Sequence, residues 1–71
     1  MLDAYGKELK VGQKIVRIVP SKRAPVGHKY VVRQYSWQTG KDSDDLIADG
    51  GKLKEKIIPG QSEDYAVIEN Q

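Results

Sequence analysis

The chain has 71 residues, which is enough for one small domain and too few for two. It has no cysteine and a single histidine, so disulfides and thiolate zinc sites are excluded and close apolar packing must hold the fold. The net charge is only +2, but residues 1–41 carry nine basic and two acidic side chains, against three and eight in residues 42–71.

The first predicted strand follows an extended lead-in. Residues 1–12 are predicted to be this lead-in, with a turn at residues 5–7. Gly12 then turns the chain into a strand predicted over residues 14–19. Pro20 lacks the amide that a sheet needs, so the strand is expected to stop there.

A long basic loop and an aromatic strand come next. The loop spans residues 20–29 and contains two prolines and a glycine. Ten residues is long for a hairpin connection, and long loops in compact domains are often functional. The second strand is predicted over residues 30–37, which are rich in β-branched and aromatic side chains. Neither of its faces is purely apolar, so it is expected to bend or to span both core and surface.

The second half of the chain is predicted to contain three more short strands. They are expected at residues 46–48, 52–58 and 65–69, with a glycine hairpin turn at residues 49–52. A single 3₁₀ turn is expected near Pro59 and Gly60, and residues 70–71 are expected to be frayed. No window of the chain shows helical periodicity. The predicted fold is therefore all-β: a small five-stranded barrel over residues 13–69 within one domain, residues 1–71.

Three stretches resemble SH3-like barrels, in particular those of the KOW type. They are the opening run Asp3-x-x-Gly6-x-x-Leu9-x-Val11-Gly12-x-x-Ile15-Val16, the continuation at residues 25–32, and the ending at residues 64–69. Proteins that look like this include ribosomal and transcription-factor domains and short phage or mobile-element proteins of unassigned role. The resemblance implies an SH3-like barrel that binds RNA or another protein.

The candidate binding residues come from the basic loop and the two strands that flank it. They are Arg17, Lys22, Arg23, Lys29, Arg33, Tyr35 and Trp37. Phosphates bind to positive charge held at the surface, and exposed bases stack on aromatic rings. Tyr30 is a further candidate for stacking. The alternative is that Tyr and Trp fill the barrel while Lys and Arg keep its outside soluble, and core packing is the expectation for Tyr65.

Catalysis and metal binding find little support in the residues. The aspartates at positions 42, 44 and 45 lack the glycine and the terminal glutamate of a calcium loop and are expected to form a solvated turn. His28 is expected to be a solvated loop residue. We therefore expect no enzyme, no catalytic residue, no metal and no cofactor. No apolar run approaches the length of a membrane span, so no membrane association is expected and the cytoplasm is the expected location.

The function predicted from the sequence is that of a non-catalytic binding module. The favoured ligand is nucleic acid, either RNA or single-stranded DNA, bound by the basic loop and the aromatic strand. The alternative is a protein-interaction module, such as a phage or mobile-element accessory protein that modulates a host protein. It would use the same aromatic anchors or a free strand edge. A third reading is a structural subunit that self-associates through its edge strands, and the sequence leaves the oligomeric state open.

Overall fold

The computed structural model describes residues 1–68, and in this part of the chain five strands form one antiparallel sheet. They are β1 (Lys14–Arg17), β2 (Lys29–Gln34), β3 (Leu46–Asp49), β4 (Lys54–Ile57) and β5 (Tyr65–Val67). Their order across the sheet is β4-β3-β2-β1-β5, so β4 and β5 occupy its two edges. The all-β prediction is confirmed, whereas the sheet is open and does not show the predicted closure. A 3₁₀ helix at Ser62–Asp64 joins β4 to β5, as expected from the sequence.

Strands β1, β2 and β4 end earlier than the sequence predicts, β4 by a single residue. After Arg17, the amide of Ile18 donates to Asp64 and the amide of Gly27 donates back to the Arg17 carbonyl, which closes the first loop. After Gln34, the amide of Ser36 donates to the Lys41 carbonyl, so the chain leaves the sheet before Trp37. Trp37 therefore lies in a turn and not on β2. The predicted end of the last strand at residue 69, and the predicted frayed residues 70–71, lie outside the described residues.

The core is built from alternate residues of the strands. In β2 the side chains of Tyr30 and Val32 are buried, while Lys29 and Arg33 on the other face are exposed. Ile15 of β1 lies opposite Tyr30 in the sheet, and both are fully buried. Tyr65 is also in the core, as expected from the sequence. Burial of each such side chain contributes about 1.5–3 kcal/mol, so this face of the sheet supplies most of the stability.

The lead-in folds back on itself and covers the edge of β5. The amide of Leu9 donates to the Met1 carbonyl, which makes a small antiparallel loop with Leu9 in the core. The amide of Ala4 donates to the Tyr65 carbonyl at 2.9 Å. The amide of Val67 donates to Asp3 Oδ2 at 2.8 Å. The amide and carbonyl of Tyr65 and the amide of Val67 are thus already bonded, and the lead-in covers most of this edge.

The two glycines between β3 and β4 are required for different reasons. Gly51 has a φ of +86°, a left-handed conformation that other residues adopt at a cost. A Cβ on Gly50 would lie 2.8 Å from His28 Nε2 and 2.9 Å from the Leu53 carbonyl oxygen. The sequence predicts positive φ angles for this turn, but at Gly50 the constraint is close approach. His28 is half-buried, with its ring 4.8 Å from that of Tyr30, so the expectation of a solvated histidine is wrong.

Replacing Gly50 by alanine is therefore expected to be the more damaging of two matched substitutions. Gly50→Ala should lower the free energy of unfolding by about 2–3 kcal/mol, because a carbonyl of the backbone cannot give way as a flexible side chain can. Gly51→Ala, in open space, should cost only about 1 kcal/mol of backbone strain. Urea unfolding of both variants measures the difference. An equal or smaller loss for Gly50→Ala would contradict the close approach.

Candidate nucleic-acid interface

An open groove of about 420 Å³ lies between the first loop, the turn that follows β2, and β4. The side chains that line it are those of Arg17, Ser21, Lys22, Arg23, Trp37, Glu55, Lys56 and Gln61. Four of these eight belong to the set predicted from the sequence. The groove therefore carries four cations and one carboxylate, together with one exposed aromatic ring.

The first loop presents its two cations through a tight turn. Ser21 Oγ accepts hydrogen bonds from the amides of Arg23 and Ala24, at 3.2 and 3.1 Å. The amide of Ser21 donates to the Ala24 carbonyl at 3.0 Å, and the Ala24 side chain is buried. This turn, typical of serine in loops, anchors the segment at Ala24 and leaves Lys22 and Arg23 exposed at the groove.

Asp45 links Trp37 to Lys56 on the other side of the groove. Its Oδ2 accepts from the Trp37 amide at 3.4 Å, and its Oδ1 lies 3.9 Å from Lys56 Nζ. Trp37 remains 41% exposed and lines the groove. Asp45 is half-buried and positions neighbouring residues, unlike the solvated turn that the sequence suggests.

Arg17 forms part of the groove floor and is not a free phosphate anchor. Its side chain is 8% exposed, and its Nη1 donates to Glu55 Oε1 at 3.0 Å. Its Nη2 lies 3.7 Å from Asp64 Oδ2, and the guanidinium carbon is 5.2 Å from the centre of the Tyr65 ring. The charge of Arg17 is thus compensated within the protein. We assign it a structural place in the site and leave phosphate contact to the exposed cations.

Two buried tyrosines complete the cluster around Glu55. Tyr65 donates its hydroxyl hydrogen to Glu55 Oε1 at 2.6 Å, and Tyr30 donates to Glu55 Oε2 at 3.2 Å. Burial, with the nearby Glu55 carboxylate adding to it, raises the pKa of Tyr30 to about 12. The same causes raise the pKa of Tyr65. Because Tyr30 is buried, it cannot stack on a base.

Because Tyr30 has a raised pKa in this cluster, we expect the protein to lose stability at alkaline pH. The Tyr30 pKa is raised from 10.0 to about 12, so the hydroxyl contribution is complete below pH 10, where both states are protonated. Above pH 10 the unfolded chain releases the proton first, and stability should fall as the pH rises towards 12. Urea unfolding across this range measures the slope. The Tyr30→Phe variant, which lacks the hydroxyl, should show a shallower slope, and an unchanged slope would contradict the assignment.

The remaining predicted residues do not join this groove. Lys29 and Arg33 line a second groove of about 480 Å³ with Lys14, over a floor that includes Val31 and Ile68. Arg33 Nε donates to Asp49 Oδ2 at 3.2 Å. Tyr35 is half-buried and lines neither groove. The single basic patch expected from the sequence is therefore divided between two surfaces.

Sequence reasoning missed four residues of the groove: Ser21, Glu55, Lys56 and Gln61. In β4 Glu55 is half-buried and Lys56 is exposed, and their alternation along the strand does not indicate that both line one groove. Nothing in the sequence pattern indicates that β4 faces the first loop. Ser21 and Gln61 lie in turns, where the pattern gives no direction for a side chain.

Comparison with known proteins adds no further constraint. No protein family, curated protein or solved structure matches the chain. Within residues 1–68, no group of three or more His, Cys, Asp or Glu side chains could hold a metal ion. The same residues include no helix that is long and apolar enough to cross a membrane.

Proposed function

We propose that this protein is a non-catalytic module that binds single-stranded nucleic acid in the groove beside Trp37. The observation that carries the proposal is that an exposed tryptophan shares one groove with the cations Lys22, Arg23 and Lys56. A base can stack on the tryptophan ring while the lysines and the arginine contact the phosphates on either side of it. Single strands fit this arrangement because their bases are free to leave the stack. Cytoplasmic residence, where such strands occur, is part of the proposal.

We also propose that the five strands form an SH3-like barrel of the KOW-like type. The order β4-β3-β2-β1-β5 and the 3₁₀ helix before the last strand support this assignment. The lead-in, which covers the edge of β5, would then belong to the same domain as the barrel. The binding groove lies at one end of this arrangement, between loops, where a scaffold of this kind can vary its surface.

Titration of the chain with oligonucleotides tests the function. Trp37 is the sole tryptophan, so its fluorescence reports directly on the groove. Binding of a single-stranded RNA or DNA oligomer should change that fluorescence. If three phosphates are contacted, the logarithm of affinity should fall by about 2 for each tenfold rise in salt. Lys22→Glu with Arg23→Glu should weaken binding at least tenfold, because both contacts become repulsive.

A matched pair of substitutions controls for net charge. Lys14→Glu with Lys29→Glu changes the charge by the same amount, but these residues line the second groove. Binding should then fall only slightly. Equal weakening by the two pairs would show that general charge, and not the Trp37 groove, holds the ligand.

Of the two modes open to the protein-interaction alternative, pairing through a free strand edge has the weaker support. The edge of β5 is covered by the lead-in, and β4 at the other edge carries exposed Lys54 and Lys56, which discourage strand pairing. Trp37 in the groove is therefore the better-supported anchor for a protein partner. If no oligonucleotide binds at low salt, this alternative replaces nucleic-acid binding.

A further inference from the structure

We propose that the groove selects bases that carry an exocyclic amino group and discriminates against uracil and thymine. The proposal rests on the proposed function and assigns the selectivity to Glu55, the only carboxylate among the described residues that line the groove. An amino group donates a hydrogen bond, and Glu55 is placed to accept one. Cytosine, adenine and guanine carry such a group, whereas uracil and thymine carry carbonyl oxygens in its place.

The contacts of Glu55 leave an acceptor site open. Its Oε1 already accepts from Arg17 Nη1 and from the Tyr65 hydroxyl. Its Oε2 accepts from the Tyr30 hydroxyl alone among the described residues. Each carboxylate oxygen can accept about two hydrogen bonds, so Oε2 has capacity for one more donor. The side chain is 11% exposed and lines the same groove as Trp37, which is where the proposal places the base.

The carboxylate is also held in one place before a ligand arrives. Three donors from β1, β2 and β5 fix both of its oxygens, and these strands are joined in one sheet. Because Glu55 does not have to reorganise on binding, a base that places a donor at Oε2 binds without that cost. A uracil O4 in the same position would bring its lone pairs against the carboxylate. The one edge donor of uracil, its N3–H, lies between O2 and O4, so it can approach the carboxylate only by bringing carbonyl lone pairs towards it. Stacking on Trp37 does not separate the two bases, because every base has a π face.

Comparison of oligocytidine with oligouridine of equal length tests the selectivity. Both are pyrimidine strands with the same backbone charge. They differ in the amino group against the carbonyl at position 4, and in N3, which is an acceptor in cytosine and carries a hydrogen in uracil. At one salt concentration and neutral pH, oligocytidine should bind about tenfold more tightly, as expected for one hydrogen bond to a charged acceptor. The salt dependence should be the same for both, because the phosphate contacts are unchanged.

The possible results separate this inference from the proposed function. Equal affinities with steep salt dependence, or tighter binding of oligouridine, would overturn the base selectivity and leave nucleic-acid binding intact. Binding of neither strand would overturn both. Replacement of guanosine by inosine in a mixed oligomer, which removes only an amino group, should weaken binding if guanine is the bound base.

A variant then assigns the effect to the carboxylate. Glu55→Gln can donate as well as accept, so the preference for cytosine over uracil should largely disappear in it. Because this substitution disturbs a buried cluster, circular dichroism must first show that the variant is folded. A folded Glu55→Gln protein with the full preference would overturn the role of Glu55, and the ligand comparison remains decisive if the variant does not fold.

Discussion

Replacing Glu55 by alanine is expected to lower the free energy of unfolding by about 3–5 kcal/mol, which is a large part of the total for so small a domain. The substitution removes the partner of the buried Arg17 guanidinium and leaves only Asp64, at 3.7 Å. It also deprives the hydroxyls of Tyr30 and Tyr65 of their acceptor. Buried donors without partners cost the full penalty of their desolvation. Urea unfolding followed by circular dichroism measures the change.

Two further variants define what the Glu55 result means. Glu63→Ala removes an exposed carboxylate of the 3₁₀ helix and should change stability by no more than about 0.5 kcal/mol. The double variant Arg17→Met with Glu55→Leu replaces the ion pair by apolar side chains. It should be less destabilised than Glu55→Ala, since no buried charge is left alone. A Glu55→Ala protein as stable as Glu63→Ala would contradict the buried pair.

Removal of the Asp3 carboxylate is expected to give the second large loss of stability. Asp3 is buried, and its two oxygens accept from the amides of Tyr5, Lys7 and Val67 at 2.8–2.9 Å. Asp3→Ala should lower the free energy of unfolding by about 2–3 kcal/mol, because it leaves these donors without their acceptor. Asp3→Asn should be similarly damaging. The nitrogen of a side-chain amide donates and cannot accept, so at least one of the three backbone amides would lose its acceptor.

Because of the same carboxylate, we expect the free energy of unfolding to depend on pH in the acid range. Burial opposes its ionisation, but the amides of Val67, Lys7 and Tyr5 favour it more strongly in sum, so the pKa of Asp3 lies below its ordinary value of 3.8. The contribution is complete above pH 3.8 and is lost as the pH falls through the lower folded pKa. Unfolding at neutral pH and at about pH 3 should show a smaller acid loss in Asp3→Asn than in the unsubstituted protein.

An exposed aspartate provides the comparison for Asp3. Asp42 lies in the acidic turn before β3 and is exposed, so Asp42→Asn should leave both the stability at neutral pH and its acid dependence nearly unchanged. If Asp3→Asn behaves like Asp42→Asn, the hydrogen bonds of Asp3 do not contribute to stability as their geometry indicates.

Much of the fold could be predicted from residues close together in the chain. The five strand positions, the 3₁₀ helix before the last strand and the burial of Tyr65 all follow from β-branched runs, turn residues and alternation. The ends of β1 and β2 could not, because they depend on hydrogen bonds that the strand pattern does not show: the amide of Ile18 donates to the remote Asp64 carbonyl, and the amide of Ser36 donates to the Lys41 carbonyl within a turn. Because β2 ends at Gln34, Trp37 lies in the turn beside the groove and not in the sheet.

The candidate site was only partly predictable for a similar reason. The basic loop and Trp37 were recognisable by composition, and the structure brings Lys22, Arg23 and Trp37 to one groove. Charge alone could not indicate that Arg17 is buried in an ion pair, or that Lys29 lies on another surface. Those outcomes depend on which faces of the strands meet.

The positions of strands and turns follow from local sequence, because backbone preferences and alternating side chains act over a few neighbouring residues. The partners of the buried carboxylates follow from the fold: Arg17 bonds to Glu55 across 38 positions, and the Val67 amide bonds to Asp3 across 64. Such pairs form when packing of the apolar core brings remote segments together and removes water from between them. That packing brings Lys22, Arg23 and Trp37 into one groove that Glu55 also lines, and leaves Lys29 and Arg33 on another surface.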